Sequence, residues 1–245
     1  MSSITPRTIL CIPGFWKDRS EIVTSVAQHN EESYLLAGSV LFNLKTQEGI
    51  DVEIDPYNAQ IQKSFEIAGR VTRVPEVFLE EIGKHLHTVY LIGETGDLKS
   101  AKEMAEAGRA ILKAGGTGIK VETAGKAFTA ERWNVLLENC SEGDLYEMYV
   151  IDSILDEDGS VYSCGMHHLG YKDTIVSGEE FQEAVHLISV FGLYQVMENP
   201  EIRHNHTFST SREAPVFRIL DEPDQPYLGD EFFENPFGMW RLQRA

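Results

Sequence analysis

The chain has little cysteine, few cations relative to its acids, and no long apolar run. Its three cysteines in 245 residues, Cys11, Cys140 and Cys164, are too few and too scattered for a disulfide framework. No stretch of about 18 apolar residues occurs, and residues 1–7 lack the apolar core of a signal peptide. We therefore expect a protein of a reducing compartment, the cytoplasm, without a membrane-spanning helix.

The shortage of cations makes the chain strongly acidic. It has 21 Lys and Arg residues against 39 Asp and Glu residues, which is a net charge of −18 at pH 7. Such a surface repels the phosphates of nucleic acids and of anionic lipids, so we expect neither nucleic acid nor membrane as a direct partner. The charge favours a basic protein partner, although it also serves solubility alone.

Helix and strand patterns follow one another without strict alternation, which predicts an α+β fold with mixed sheets and packed helices. Residues 8–12 form an apolar run that predicts a buried strand, and Asp18 marks the start of a helix. Ser100 and Glu103 form a capping-box pattern ahead of a second helix. Residues 148–168 predict a hairpin around an Asp-Gly turn.

No Pro- and Ser-rich linker interrupts the chain, so we expect one compact α+β domain over residues 1–245. The order strand–helix–strand–strand–helix–strand can be traced in the first 93 residues and again after them. Two ferredoxin-like halves, residues 1–93 and 94–245, are therefore the alternative organisation.

The last part of the chain, residues 221–245, combines turn residues with acids and aromatics. Its aromatic residues predict packing on the body of the protein: Tyr227, Phe232, Phe233, Phe237 and Trp240. Its acids predict an exposed anionic surface: Asp221, Glu222, Asp224, Asp230, Glu231 and Glu234.

The densest collection of reactive groups lies in residues 162–170. Cys164 and His167 are separated by two residues, a spacing at which both can bind one metal ion such as zinc. Further ligands would have to come from elsewhere in the chain, and the candidates match no standard zinc pattern: His206, His204, Cys140 and Asp173. Alternatively, Cys164 is a nucleophile with His167, His168 or His206 as its base. The plainer interpretation is a strand whose Cys164 faces the core.

A second candidate pocket involves charged residues from distant parts of the chain. Lys120 and Glu122 share one face of a predicted strand, and together with Lys126 and Arg241 they are candidates for a polar pocket. Ser163, next to Cys164, is a further pocket candidate. A solvated sheet edge explains Lys120 and Glu122 equally well.

Several blocks of the sequence together resemble a bacterial protein family. The blocks are Ile12–Trp16 with Asp18 and Arg19, Ala114–Gly116, Lys120–Gly125, Ser163–Gly170, His206–Ser209 and Asn235–Leu242. They resemble the family catalogued as domain of unknown function 4261, over nearly the whole chain. The resemblance implies that the polar blocks belong to one unit and that Asn is usual at the position of His168. It implies no activity.

Two functions follow from the sequence. We prefer a non-catalytic, acidic interaction protein of the inhibitor or immunity type that binds a basic partner. The alternative is a metal-dependent or cysteine-dependent enzyme whose site is built around Cys164, His167, His168 and His206.

Overall fold

The computed structural model describes residues 5–245, which form seven α-helices, a short 3-10 helix and two sheets of seven and six strands. The predicted α+β class is confirmed. No helix among the described residues is long and apolar enough to span a bilayer.

The chain divides into two compact units. The N-terminal unit consists of Arg7–Glu94 and Lys99–Cys140. The C-terminal unit consists of Thr95–Leu98, Ser141–Ala245 and the described residues before Arg7. This division differs from the single domain expected from the sequence, and its main boundary lies at residue 140 instead of residue 93.

The N-terminal unit is built on the seven-stranded sheet, in which every pair of neighbouring strands is antiparallel. Its strand order is β2-β3-β4-β5-β1-β6-β7. The elements are β1 (Arg7–Gly14), α1 (Arg19–His29), β2 (Tyr34–Ala37), β3 (Val40–Asn43), β4 (Gly49–Pro56), α2 (Gln60–Ala68), α3 (Glu76–Ile82), β5 (His87–Glu94), α4 (Leu98–Lys113), β6 (Gly118–Val121), β7 (Lys126–Thr129) and α5 (Ala130–Asn139).

Helices cover both faces of strand β1. Its Cys11 belongs to a core cluster with Phe65 of α2 and Phe78 of α3. On the opposite face, a side chain at Gly108 of α4 would meet Leu10 at 3.0 Å, so the helix lies close against the strand. The apolar character of the whole run follows from this burial on both sides.

The four strands β4, β5, β1 and β6 stand in the order of the ferredoxin-like motif, with α1 and α4 as the two crossover helices. Its fourth strand, β6, follows α4 and therefore lies beyond residue 93. The C-terminal unit has another topology, because β10 and β13 are parallel neighbours. The alternative of two ferredoxin-like halves is therefore wrong for the second half.

The C-terminal unit packs a six-stranded sheet against one long helix. Its strand order is β11-β12-β13-β10-β9-β8. The elements are α6 (Glu142–Tyr149), β8 (Ile151–Leu155), β9 (Val161–Cys164), the 3-10 helix (Met166–Leu169), β10 (Asp173–Val176), α7 (Phe181–Glu198), β11 (Thr207–Phe208), β12 (Phe217–Glu222) and β13 (Met239–Arg244). Leu187, Ile188 and Phe191 of α7 share a core cluster with Ile219 and Leu242 of the sheet.

Residues 95–98 belong to the C-terminal unit, although strand β5 before them and the rest of α4, from Lys99 onward, do not. The backbone N–H of Gly96 donates to the carbonyl of His168 at 3.2 Å. A side chain at Gly170 would lie 2.4 Å from the Gly96 carbonyl oxygen, so the two backbones are in close contact. This short segment is therefore an integral part of the C-terminal unit.

The hairpin of β8 and β9 is confirmed, but the strand predicted to continue to His168 ends at Cys164 and gives way to the 3-10 helix. The reason is Gly165, whose φ of 112° lies in the left-handed region and turns the chain. A Cβ at Gly165 would lie 2.0 Å from the carbonyl oxygen of Tyr149. Only glycine fits this turn.

Substitution Gly165→Ala is expected to lower the free energy of unfolding by more than about 2 kcal/mol, because backbone strain and a clash with Tyr149 add together. The measurement is urea denaturation followed by circular dichroism. Gly159→Ala is the matched control: its φ is also positive, at 84°, but nothing lies within 4 Å of the added carbon. Equal losses in the two variants would show that the contact with Tyr149 costs nothing.

Candidate functional site

A buried carboxylate at the start of β10 organises the polar groups of the C-terminal unit. Asp173 is 0% exposed. One of its oxygens accepts hydrogen bonds from Ser163 Oγ at 3.0 Å and from the backbone N–H of Met166 at 3.3 Å. The other accepts from Tyr227 Oη at 2.8 Å and from Asn235 Nδ2 at 2.7 Å. Both oxygens of this carboxylate are therefore satisfied by neutral donors.

The local fold explains how these donors converge. Ser163 lies on β9, beside β10, and its Oγ also accepts the backbone N–H of Thr174 at 2.9 Å. The turn at Gly165 directs the N–H of Met166 toward the same carboxylate. Tyr227 and Asn235 come from the segment that connects β12 to β13.

Burial sets the electrostatics of Asp173. Desolvation raises the pKa of its carboxyl group from 3.8 to about 6, and the hydrogen bonds from Asn235 and Tyr227 oppose that rise. The group is therefore still mainly ionised at neutral pH, as an anion inside the protein.

Two histidines and a thiol lie in the same buried region. The rings of His167 and His168 are 4.0 Å apart between centroids, and the ring of His168 is 5.2 Å from that of Tyr149. Nδ1 of His167 has no hydrogen-bond partner in the described part of the chain, and burial lowers the pKa of this histidine to about 4. Burial also raises the pKa of the Cys164 thiol well above its usual value, with a further contribution from Asp173.

This environment does not favour nucleophilic chemistry. A reactive cysteine needs a lowered pKa and access to solvent, whereas Cys164 has a raised pKa and is 2% exposed. His167 is likewise 2% exposed and His168 is 0% exposed. The plainer interpretation of the sequence, in which Cys164 faces the core, agrees with this burial.

The proposed metal ligands are not assembled. Residues 5–245 contain no group of three or more His, Cys, Asp or Glu side chains placed to hold a metal ion. His206 lies in an exposed turn, where its Nδ1 accepts the backbone N–H of Arg203 at 3.3 Å. Among these residues, the structure does not bring Cys164, His167 and His206 together as a zinc site, since Cys164 and His167 are buried whereas His206 is exposed.

Lys120 and Glu122 form an ion pair in the N-terminal unit, and the Lys120 ammonium group also donates to Ser64 Oγ. Strand β6 lies between β1 and β7, and the Lys120 side chain is 12% exposed. The interpretation as a solvated sheet edge is therefore wrong. Arg241 belongs to the C-terminal unit, where it pairs with Glu222 and donates to Ser177 Oγ at 2.9 Å.

The connection between β12 and β13, residues 223–238, carries an unusual surface, and we call it the acidic loop. It exposes the carboxylates of Asp224, Asp230 and Glu231. It also exposes three large apolar side chains, to 60%, 51% and 39% respectively: Leu228, Phe232 and Phe237. The tail is packed on the protein, with Trp240 buried and Tyr227 bonded to Asp173, but Phe232 and Phe237 keep a large exposed fraction.

Hydrogen bonds to buried groups and within the loop fix the position of the acidic loop. Besides their bonds to Asp173, its residues bond to one another: Gln225 Nε2 donates to the Asn235 carbonyl, and the Asn235 N–H donates to Gln225 Oε1, both at 2.9 Å. Asn235 Nδ2 also donates to the Tyr171 carbonyl at 2.9 Å. The sequence predicts packing for Tyr227 and places Asn235 in a resemblance block, but it does not predict that either residue bonds to Asp173.

Comparisons of the chain with protein-family models, with curated proteins and with solved structures find no match. The resemblance to the family with domain of unknown function 4261 stays an expectation.

Proposed function

We propose that the chain is a non-catalytic protein-binding module that docks onto a basic partner through the acidic loop, in the manner of an inhibitor or immunity protein. The observation that carries this proposal is the alternation, on one short segment, of exposed carboxylates with exposed Leu228, Phe232 and Phe237. Scattered apolar residues are normal on a surface, but three within one anchored loop are typical of a contact site.

The two kinds of side chain contribute differently to binding. Burying a Leu or Phe side chain against a partner is worth about 1.5–3 kcal/mol, and such anchors dominate the affinity of protein interfaces. The carboxylates around them speed association with a cationic surface and reject anionic competitors. The net charge of −18 extends this attraction over the whole molecule.

Anchoring supports the same proposal. Tyr227 and Asn235 fix the acidic loop to Asp173, and the Gly229 N–H donates to the Glu234 carboxylate at 3.1 Å. A loop that is ordered before it binds loses less conformational entropy on binding. The three cysteines are free, which suits the cytoplasm as the place where the module works.

The enzyme alternative receives no support from the site. A substrate has no open approach to Cys164, His167 and His168, which are at most 2% exposed.

The test compares two variants that remove the same kinds of side chain from different surfaces. The loop variant is D224N/E231Q/F232A. The control, E80Q/E81Q/V77A, removes two exposed carboxylates and one apolar residue that is 70% exposed, all on α3. A partner captured by the wild-type protein at low salt is identified, purified and titrated by calorimetry. We expect a basic protein that binds one to one, with a loss of about 100-fold in the loop variant and less than about 3-fold in the control.

Two results would refute this proposal. One is that no protein binds stoichiometrically at low salt. The other is that the partner tolerates the loop variant as well as it tolerates the control.

A further inference from the structure

A cleft in the N-terminal unit has a charge opposite to that of the whole chain. Its volume is about 360 Å³, and it lies along α4, next to the hairpin of β2 and β3. Its cationic lining residues are Lys45, Lys99, Lys102, Arg109 and Lys113. Two carboxylates, Glu103 and Glu106, also line it, which leaves a local excess of three positive charges. In a chain with nearly two acids for every base, such an excess is unexpected.

The cations of the cleft are only partly neutralised. Arg109 pairs with Glu106, and Lys99 lies 3.3 Å from Glu103. The exposed lysines Lys45, Lys102 and Lys113 form no ion pair within 4 Å with any carboxylate in residues 5–245. Like charges that converge without a counter-charge repel one another, and a bound anion removes that cost.

Helix geometry arranges these cations in one row. Lys102, Arg109 and Lys113 are spaced seven and four residues apart on α4, so their side chains share a face. At a rise of 1.5 Å per residue, the row is about 16 Å long. This length matches a small molecule with several charged groups better than a single small ion.

A neutral donor stands beside the row. Tyr34 lines the cleft, and its hydroxyl accepts a hydrogen bond from Asn43 Nδ2 at 3.3 Å. Burial and the nearby Glu106 raise the pKa of Tyr34 to about 12, so the hydroxyl keeps its hydrogen at neutral pH. That hydrogen is available to an acceptor in the cleft.

We propose that this cleft binds a small polyanion of nucleotide size, and that its charged part is a polyphosphate. Lysine ammonium groups bind phosphate oxygens as point charges, and the volume lies within the range of small-molecule sites. The net charge of −18 disfavours a long nucleic acid, which would extend beyond the cleft. This proposal is independent of the acidic loop, which belongs to the other unit.

The test is calorimetric titration of the intact protein with inorganic triphosphate and, separately, with ATP, at low salt and without divalent cations. We expect saturable one-to-one binding of at least one probe. The variant K102Q/K113Q should weaken it by about 10-fold or more, since each of the two lysines removed contributes one phosphate contact. The control K17Q/K84Q removes the same charge from two exposed lysines outside the cleft and should leave binding unchanged.

The two probes distinguish the sources of the charge. Equal affinities would show that the polyphosphate group is the whole ligand. Tighter binding of ATP, by about 10-fold or more, would show that a nucleoside fills the rest of the cleft. Absence of saturable binding of either probe, or an equal loss in K102Q/K113Q and in the control, would overturn the proposal.

Discussion

The variant Asp173→Ala is expected to lose about 3–5 kcal/mol of unfolding free energy at neutral pH, because it leaves four hydrogen-bond donors in the core without an acceptor. Each unpaired buried donor costs about 1–3 kcal/mol, and relief from burying a charge offsets part of the sum. The four donors are Ser163 Oγ, the Met166 N–H, Tyr227 Oη and Asn235 Nδ2. Urea denaturation measures the loss.

The same variant should loosen the acidic loop more than the rest of the protein. Hydrogen exchange of the N–H groups of Asn235 and Phe237, which are bonded to Gln225 and to the Asn235 side chain, should speed up well beyond the global loss. Asp55→Ala, at an exposed position on β4, is the control for removal of one carboxylate. Unchanged stability in Asp173→Ala would mean that water replaces the carboxylate without cost.

The second large effect is on how the free energy of unfolding depends on pH. Asp173 has a folded pKa of about 6, above its ordinary 3.8, so its contribution to stability is present below pH 4 and is lost as pH rises through 6. His167 has a folded pKa of about 4, below its ordinary 6.5, so its contribution is present above pH 6.5 and is lost as pH falls through 4. A pKa difference of one between the folded and unfolded states corresponds to about 1.4 kcal/mol. Each of the two groups therefore contributes about 3 kcal/mol to the pH dependence of stability, and the two contributions have opposite signs.

The two contributions nearly cancel between pH 4 and 6.5 in the wild-type protein, and single substitutions should separate them. Relative to wild type, Asp173→Asn should lose about 3 kcal/mol of unfolding free energy between pH 7 and pH 4, because it no longer gains from protonation. His167→Phe should gain about the same unfolding free energy over the same pH range, because it has no buried imidazole whose protonation destabilises the folded state at low pH. Denaturation curves at several pH values test both, and variants that run parallel to wild type would contradict the assignment of these two titrations.

Capping residues in the sequence predicted the start of one helix correctly and the start of another incorrectly. Asp18 caps α1, and its side chain accepts the Glu21 N–H at 3.0 Å, as the sequence indicated. Ser100 and Glu103 match a capping box equally well, yet α4 begins two residues before Ser100, at Leu98. A four-residue capping-box pattern often occurs by chance, and tertiary packing determines where the helix begins.

The site was only partly predictable from the sequence, because its main contacts join residues that are far apart in the chain. Residues 162–170 were correctly singled out as a polar segment, but their spacing indicated a metal or a nucleophile instead of a buried hydrogen-bond cluster. The decisive partners of Asp173 are Tyr227 and Asn235, which lie 54 and 62 residues further along the chain. No local pattern reports a contact over that distance. The spacing of Lys102, Arg109 and Lys113 on α4 is visible in the sequence, but the cleft beside them forms only where α4 lies next to the β2–β3 hairpin.

The route of the chain through the two units has a consequence for how the protein is made. A nascent chain holds every residue of the N-terminal unit once Cys140 has been added, so this sheet is able to fold during translation. Residues 95–98 have then already been synthesised, but their contacts at His168 and Gly170 do not yet exist. They must wait for the C-terminal unit, whose sheet is completed only when β13 pairs with β10 and β12. A gene fragment that starts at Ser141 therefore encodes a unit that lacks one of its own pieces.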